Sequence, residues 1–205
     1  LEAQATYTPS EGDLLGGDHS LTFGAHRNAY RLTNVVTNAN DWRSDETTLA
    51  QRYRGETEVW AVYAQDAWRL GHDVKLTLGW RAERFRTEGG EQLARVASCT
   101  PGDAATCSPN GDGSSNKVVP YASRTLNGHS PKASLAWTAS DRLLLRASFG
   151  RGVRFPNVEE LYNGTVTATT VTLSDPNLEA ERSNAYELSA ETSWSRQTLR
   201  ASLFH

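Results

Sequence analysis

Apolar and polar positions alternate one by one through much of this chain, which is the period of a β-strand and not of a helix. In VKLTLGWRAER, Val74, Leu76, Leu78, Trp80 and Ala82 fall on one face, and Lys75, Thr77, Gly79, Arg81 and Glu83 on the other. The pattern recurs with Leu1, Ala3, Ala5 and Tyr7, with Leu21, Phe23 and Ala25, and through EVWAVYAQDAW. It returns with Ala133, Leu135 and Trp137, then Leu143, Leu145, Ala147 and Phe149, then Tyr186, Leu188, Ala190 and Trp194, and last Leu199, Ala201 and Leu203. Eight strands are predicted.

A soluble sheet with one wet face shows the same alternation, so other features must separate it from a membrane barrel. The connections LGHD, ASD and SRQ are tight, with PSEGDLLGGDH somewhat longer. Those near Arg31 to Glu56, Thr87 to His129 and Gly152 to Arg182 read as loops of roughly 25, 40 and 30 residues, well beyond hairpin length. Short and long connections alternate, as in outer-membrane barrels with short periplasmic turns and long outer loops. Trp60 and Trp68 share a face, and their spacing corresponds to roughly 20 Å of height on a tilted strand, about the separation of two aromatic girdles. The opposite face carries Arg81, Glu83, Arg142, Arg146, Glu187, Glu191 and Arg200, which suits a wet or plugged lumen. The reading is all-β: a transmembrane antiparallel barrel segment of about eight strands.

Composition narrows the function classes. The 205 residues carry a net charge of -3, with Lys and Arg dispersed, unlike the basic face of a nucleic-acid binder. No signal-peptide core and no apolar run of helical membrane-span length is present. There is no Met, and both ends read as strand cut in the middle, so the sequence is expected to be a segment of a longer chain. Cys99 and Cys107 lie in a Gly/Pro/Ser/Asn-rich stretch without His or carboxylate partners for a metal, and read as a loop disulfide of an oxidising compartment, two free thiols being the alternative.

One stretch departs from the alternation. FGRGVRFPNVEELYNG begins as an upward strand, and Pro156 removes a ladder donor, so pairing is expected to stop there. Together with DPNLEAERSNAYELSAE it resembles the TonB-dependent outer-membrane receptors, siderophore receptors among them. The resemblance rests on an Arg-x-Pro, a Glu-Leu-Tyr, an Asn-Pro-x-Leu-x-x-Glu and a Tyr-Glu-Leu opening the next strand. Arg154, Pro156, Glu160, Leu161, Tyr162, Pro176, Leu178, Glu181, Tyr186 and Glu187 match that pattern, while Asp175 stands where Asn is usual and Ala180 where Pro is common. The resemblance runs from about Val59 onward. It implies that residues 1–205 are part of a 22-stranded barrel whose plug domain, signal peptide and C-terminal strands lie outside this sequence. It also implies outer-membrane lipid around the wall, and uptake of a large scarce nutrient driven by TonB through the plug.

No catalytic constellation emerges, since the five histidines are scattered and no Ser/His/Asp or paired-carboxylate spacing occurs. No cofactor is called for. Haem receptors of the family typically carry a His between the two motif boxes, and residues 157–174 contain none. The expected ligand is therefore a ferric siderophore, ahead of cobalamin or another chelate, with haem third. A small complete structural or adhesive barrel is the rival from a different class. Candidate ligand contacts in the outer loops are Trp42, Arg43, Tyr53, Arg54, Tyr121, Arg124, Arg151 and Tyr162, offering Arg charge and ring stacking to an anionic chelate.

Overall fold

The structure, a computed structural model, describes residues 1–10, 16–41, 43, 46–99, 107–166, 171–172 and 174–205. Its frame is one antiparallel meander of eight strands: β1 (Glu2–Tyr7), β2 (Asp18–Ala39), β3 (Thr47–Leu70), β4 (Val74–Val96), β7 (Arg124–Ser140), β8 (Leu143–Arg154), β11 (Glu181–Trp194) and β12 (Gln197–Phe204). The short β5 (Cys107–Pro109) and β6 (Ser115–Pro120) branch off the top of β4, and β9 (Thr165–Val166) pairs β10 (Val171–Thr172) apart from the main sheet. One helical turn, α1 (Val158–Tyr162), follows β8.

All eight predicted strands are present, and the registers confirm their faces. Leu78 lies opposite Asp66 and Ala133, Ala133 opposite Phe149, and Phe149 opposite Tyr186. Cross-strand partners share a face, so the predicted apolar positions join into one continuous band across the wall. Val62 at 61%, Leu188 at 60% and Leu78 at 49% exposure show that none of the described residues covers this band. A contiguous apolar surface of that extent belongs against lipid. Trp60, Trp80, Phe149 and Tyr186 edge it at one end, and Trp68, Trp137 and Trp194 at the other. Among the described residues the one carboxylate within the band, Asp66, is paired at 2.8 Å with Nδ1 of His19, whose ring stacks on Trp68.

The opposite face is polar. Arg81 donates to Glu83 at 2.8 Å and approaches Nδ1 of His26 at 3.1 Å, the Tyr63 hydroxyl donates to Glu2 and Gln4, and Arg200 pairs with Glu187 at 3.7 Å.

Loop lengths differ from the sequence reading. β2, β3 and β4 run for 22, 24 and 23 residues, about twice the 9–11 that cross a bilayer. The first supposed long loop is therefore mostly wall, with only residues 40–46 connecting β2 to β3. Much of the second is the upper half of β4 plus the β5–β6 hairpin. Strict alternation fades in these upper segments because water wets both faces there. The third, between Arg154 and Glu181, is a loop as predicted, holding α1 and the β9–β10 pair. β11 begins at Glu181, so Tyr186 and Glu187 sit within the strand and do not open it.

Candidate functional site

The outer end of the lumen is closed on one side by the segment after β8. Pairing stops at Arg154, and the next residues turn inward: Pro156 is buried and Phe155 stacks on Phe85 at 5.1 Å. Asn157 caps α1, its side chain accepting the backbone N–H of Glu159 and Glu160 at 2.9 Å each. Glu160 reciprocates by accepting the Asn157 N–H at 2.9 Å, which completes a capping box. A helix this short does not hold alone in water, so its stability comes from the cap and from what it packs against.

It packs through Val158, Leu161 and Tyr162, which with Phe85 form the buried core, flanked by Leu32, Val59, Tyr121, Leu126 and Phe155. Tyr162 is 1% exposed. Its ring lies flat over two strand positions without side chains: a Cβ on Gly55 would stand 2.1 Å from its Cδ2, and one on Gly90 2.4 Å from its Cε1. Gly89, beside this cradle, takes a positive φ of 60° where β4 bulges against Arg54 and Glu56. Tyr121 covers Tyr162 from the remaining side at 5.7 Å.

A charged clamp holds the segment from above. Arg154 donates through Nε and Nη2 to both oxygens of Glu181 at 2.9 Å, and through Nη1 to Glu160 at 3.0 Å. The Asn157 N–H and the guanidinium together hold the Glu160 carboxyl below its usual range, and the same guanidinium lowers Glu181. Arg154 is correspondingly raised. Arg124 supplies a second strut: its Nη1 donates to the carbonyls of Pro176 at 2.6 Å and Leu178 at 3.1 Å, and its Nη2 reaches Glu179 at 3.0 Å. Asp175 accepts the Asn177 N–H at 2.8 Å, turning the chain back toward β11. The motif residues from Arg154 to Tyr162 and from Pro176 to Glu181 thus form one structural closure.

The candidate ligand contacts divide. Arg43 lies exposed at the β2–β3 tip and Trp42 lies outside the described residues. Arg54 is half-exposed and, with Arg52, faces Glu91. Tyr53 is 2% exposed with its hydroxyl on Gln51, and the Tyr121 hydroxyl donates to Gln92. Burial raises both phenols above their usual range, so at neutral pH they are neutral hydroxyls that stack and hydrogen-bond. Tyr162 and Arg124 are committed to packing and bracing. Arg151 stands on the same face as Phe149, the lipid side, with Nε on Asn184 at 3.0 Å, and is not among the loops. Cys99 and Cys107 are bonded, with Cα atoms 6.0 Å apart, tying the end of β4 to the start of β5. Spacing missed the two struts and the glycine cradle; the Asn157 to Glu160 spacing was a capping-box signal open to reading.

An antiparallel wall with a lipid-facing band, a polar inner face and an outer mouth closed by a packed loop defines a transmembrane β-barrel segment of the outer-membrane class. The family model described as TonB dependent receptor-like, beta-barrel matches residues 1–205, and the chain belongs to that family, whose barrels lie in the bacterial outer membrane. Solved structures with the same fold include the copper transporter OprC, at 14% identity and TM-score 0.63 over 100% of this chain and 29% of that one. The ferric citrate transporter FecA in its unliganded form follows at 16% identity and TM-score 0.58, over 99% of this chain and 26% of that one. The hemophore receptor HasR of Serratia marcescens, in complex with hemophore HasA and heme, aligns at 14% identity and TM-score 0.55, over 99% and 38%. The chain thus spans between about a quarter and two-fifths of the length of these proteins. No curated protein matches the sequence.

Proposed function

We propose that the chain forms part of the wall and outer mouth of an active-transport receptor that imports a ferric siderophore, with energy delivered by TonB through a plug domain carried elsewhere in the polypeptide. Family membership over the whole sequence carries the transport reading. The choice of ligand rests on residues 157–174, which hold no His to ligate haem iron. The exposed Arg43 and Arg54 at the mouth favour an intact anionic chelate over bare metal, since they offer charge where the tyrosines Tyr53, Tyr121 and Tyr162 are packed into the wall and offer no phenolate. A cobalamin or other metal chelate is the second reading, supported by the same family membership and the same lack of a His in residues 157–174.

Iron-limited growth of cells carrying the full-length protein, on a siderophore panel beside haem, tests the assignment. Growth on at least one siderophore, absent without TonB, is expected, because a plugged lumen leaves no open diffusive path. Growth on haem alone, or uptake that persists without TonB, refutes it.

A further inference from the structure

The lipid-side face does not become neutral above the outer aromatic edge. Register places Arg27 and Arg84 on either side of Trp60, with Arg86 and Arg31 higher on the same face. Farther round the wall, Arg151 lies one step above Phe149 and Arg182 opposite Val153, again on that face. All six are exposed, and none is lysine. At the other end of the wall the same face presents Leu70, Val74, Trp137, Leu143, Thr192 and Leu199, without a cation. Among the described strand residues the outward arginines are thus confined to one height, while Arg142 and Arg196 stand in the turns at the opposite end.

That height is where lipid headgroups begin. Arg27 lies over the Trp60 ring at 5.2 Å, which pins it to the membrane edge, and Arg31 is roughly 10 Å higher once strand rise and tilt are combined. Arg27, Arg31 and Arg86 pair with Glu58, Glu56 and Glu88. Among the described residues, Arg84, Arg151 and Arg182 make no ion pair, and exposed guanidiniums without carboxylates are suited to bidentate capture of phosphate. Between the paired arginines runs a groove of about 440 Å³ lined by Arg27, Tyr30, Arg31, Glu56, Arg86 and Glu88. Its carboxylates beside guanidiniums match a headgroup that carries several sugar hydroxyls as well as phosphates, where a phospholipid such as phosphatidylglycerol offers a single phosphate and a small glycerol.

We propose that this arginine belt is a binding surface for the phosphorylated glycolipid of the outer leaflet. The inference rests on the orientation of the wall in the outer membrane and not on the identity of the transported chelate, so either can fail without the other.

The test uses full-length protein in detergent, with native mass spectrometry reading the binding of three probes: lipid A with both phosphates, dephosphorylated lipid A, and phosphatidylglycerol. The wild type is expected to prefer the phosphorylated glycolipid over both others. The triple variant Arg84→Gln, Arg151→Gln, Arg182→Gln is expected to bind it on the order of a hundredfold more weakly at low salt, each arginine near a membrane surface contributing about fivefold. Heat-modifiable gel mobility verifies that the variant is folded; if it is not, the wild-type preference among the three probes decides. Equal binding of dephosphorylated lipid A or of phosphatidylglycerol overturns the proposal, as does a folded triple variant within about threefold of wild type.

Discussion

Tyr162 shows how much one side chain determines at the mouth. Its ring occupies the space that side chains at positions 55 and 90 would fill, and at 1% exposure it has nowhere to move. Gly90→Ala is therefore expected to loosen the docking of α1 by about 1–3 kcal/mol, the usual range for overpacking. Gly150→Ala, whose added Cβ meets nothing within 4 Å, leaves it unchanged. Limited proteolysis between Arg154 and Glu181 on the folded barrel reads the difference, and equal cleavage of the two variants would show that the cradle is not what holds the loop. The role of Tyr162 could not be read from its neighbours in sequence, because its contacts come from strands about 70 to 110 residues earlier. The glycines did give a signal, since an isolated Gly inside a strand marks close approach of something else.

Among the elements, the eight strands were legible because each buries one face in lipid and wets the other, so position parity records the environment. Their upper ends were not, since RLTNVVTNA in β2 has water on both sides and no period to betray it. Leu78 on the lipid face and Arg81 on the lumen face give the parity a direct test. Leu78→Arg is expected to destabilise the inserted barrel by about 2–4 kcal/mol near the midplane, and Arg81→Leu to leave insertion intact. Equal loss of detergent-resistant folding in both would show that the faces are misassigned. The α1 closure is expected to respond to acid. Glu160 and Glu181 have lowered carboxyl values, so their contribution is complete at neutral pH and is lost as pH falls through and below about 4.5. Cleavage of the 155–180 segment is therefore expected to rise steeply only at acidic pH, and a flat profile from pH 7 to about pH 3 would remove the Arg154 clamp from the account.

For the whole molecule, β2 and β3 continue some thirteen residues past Trp60, which lifts the rim roughly 30 Å above the membrane edge. On this part of the wall the mouth is therefore a raised rampart of β2, β3 and β4 and not a set of loops lying on the bilayer. The Cys99–Cys107 bond sits high on this wall. Reduction is expected to expose the β5–β6 hairpin to protease while the membrane band stays folded, because β4 is held below it by β3 and β7. If reduction unfolds the whole barrel, the staple is more than local. The same bond also sets an order of events. The bacterial compartment kept oxidising is the periplasm, which the chain crosses before it is inserted, whereas the stapled hairpin ends on the far side of the membrane. The bond is therefore expected to be made in transit, before the wall assembles, and the 99–107 ring at the foot of the hairpin then crosses as a closed ring and not as a loose thread.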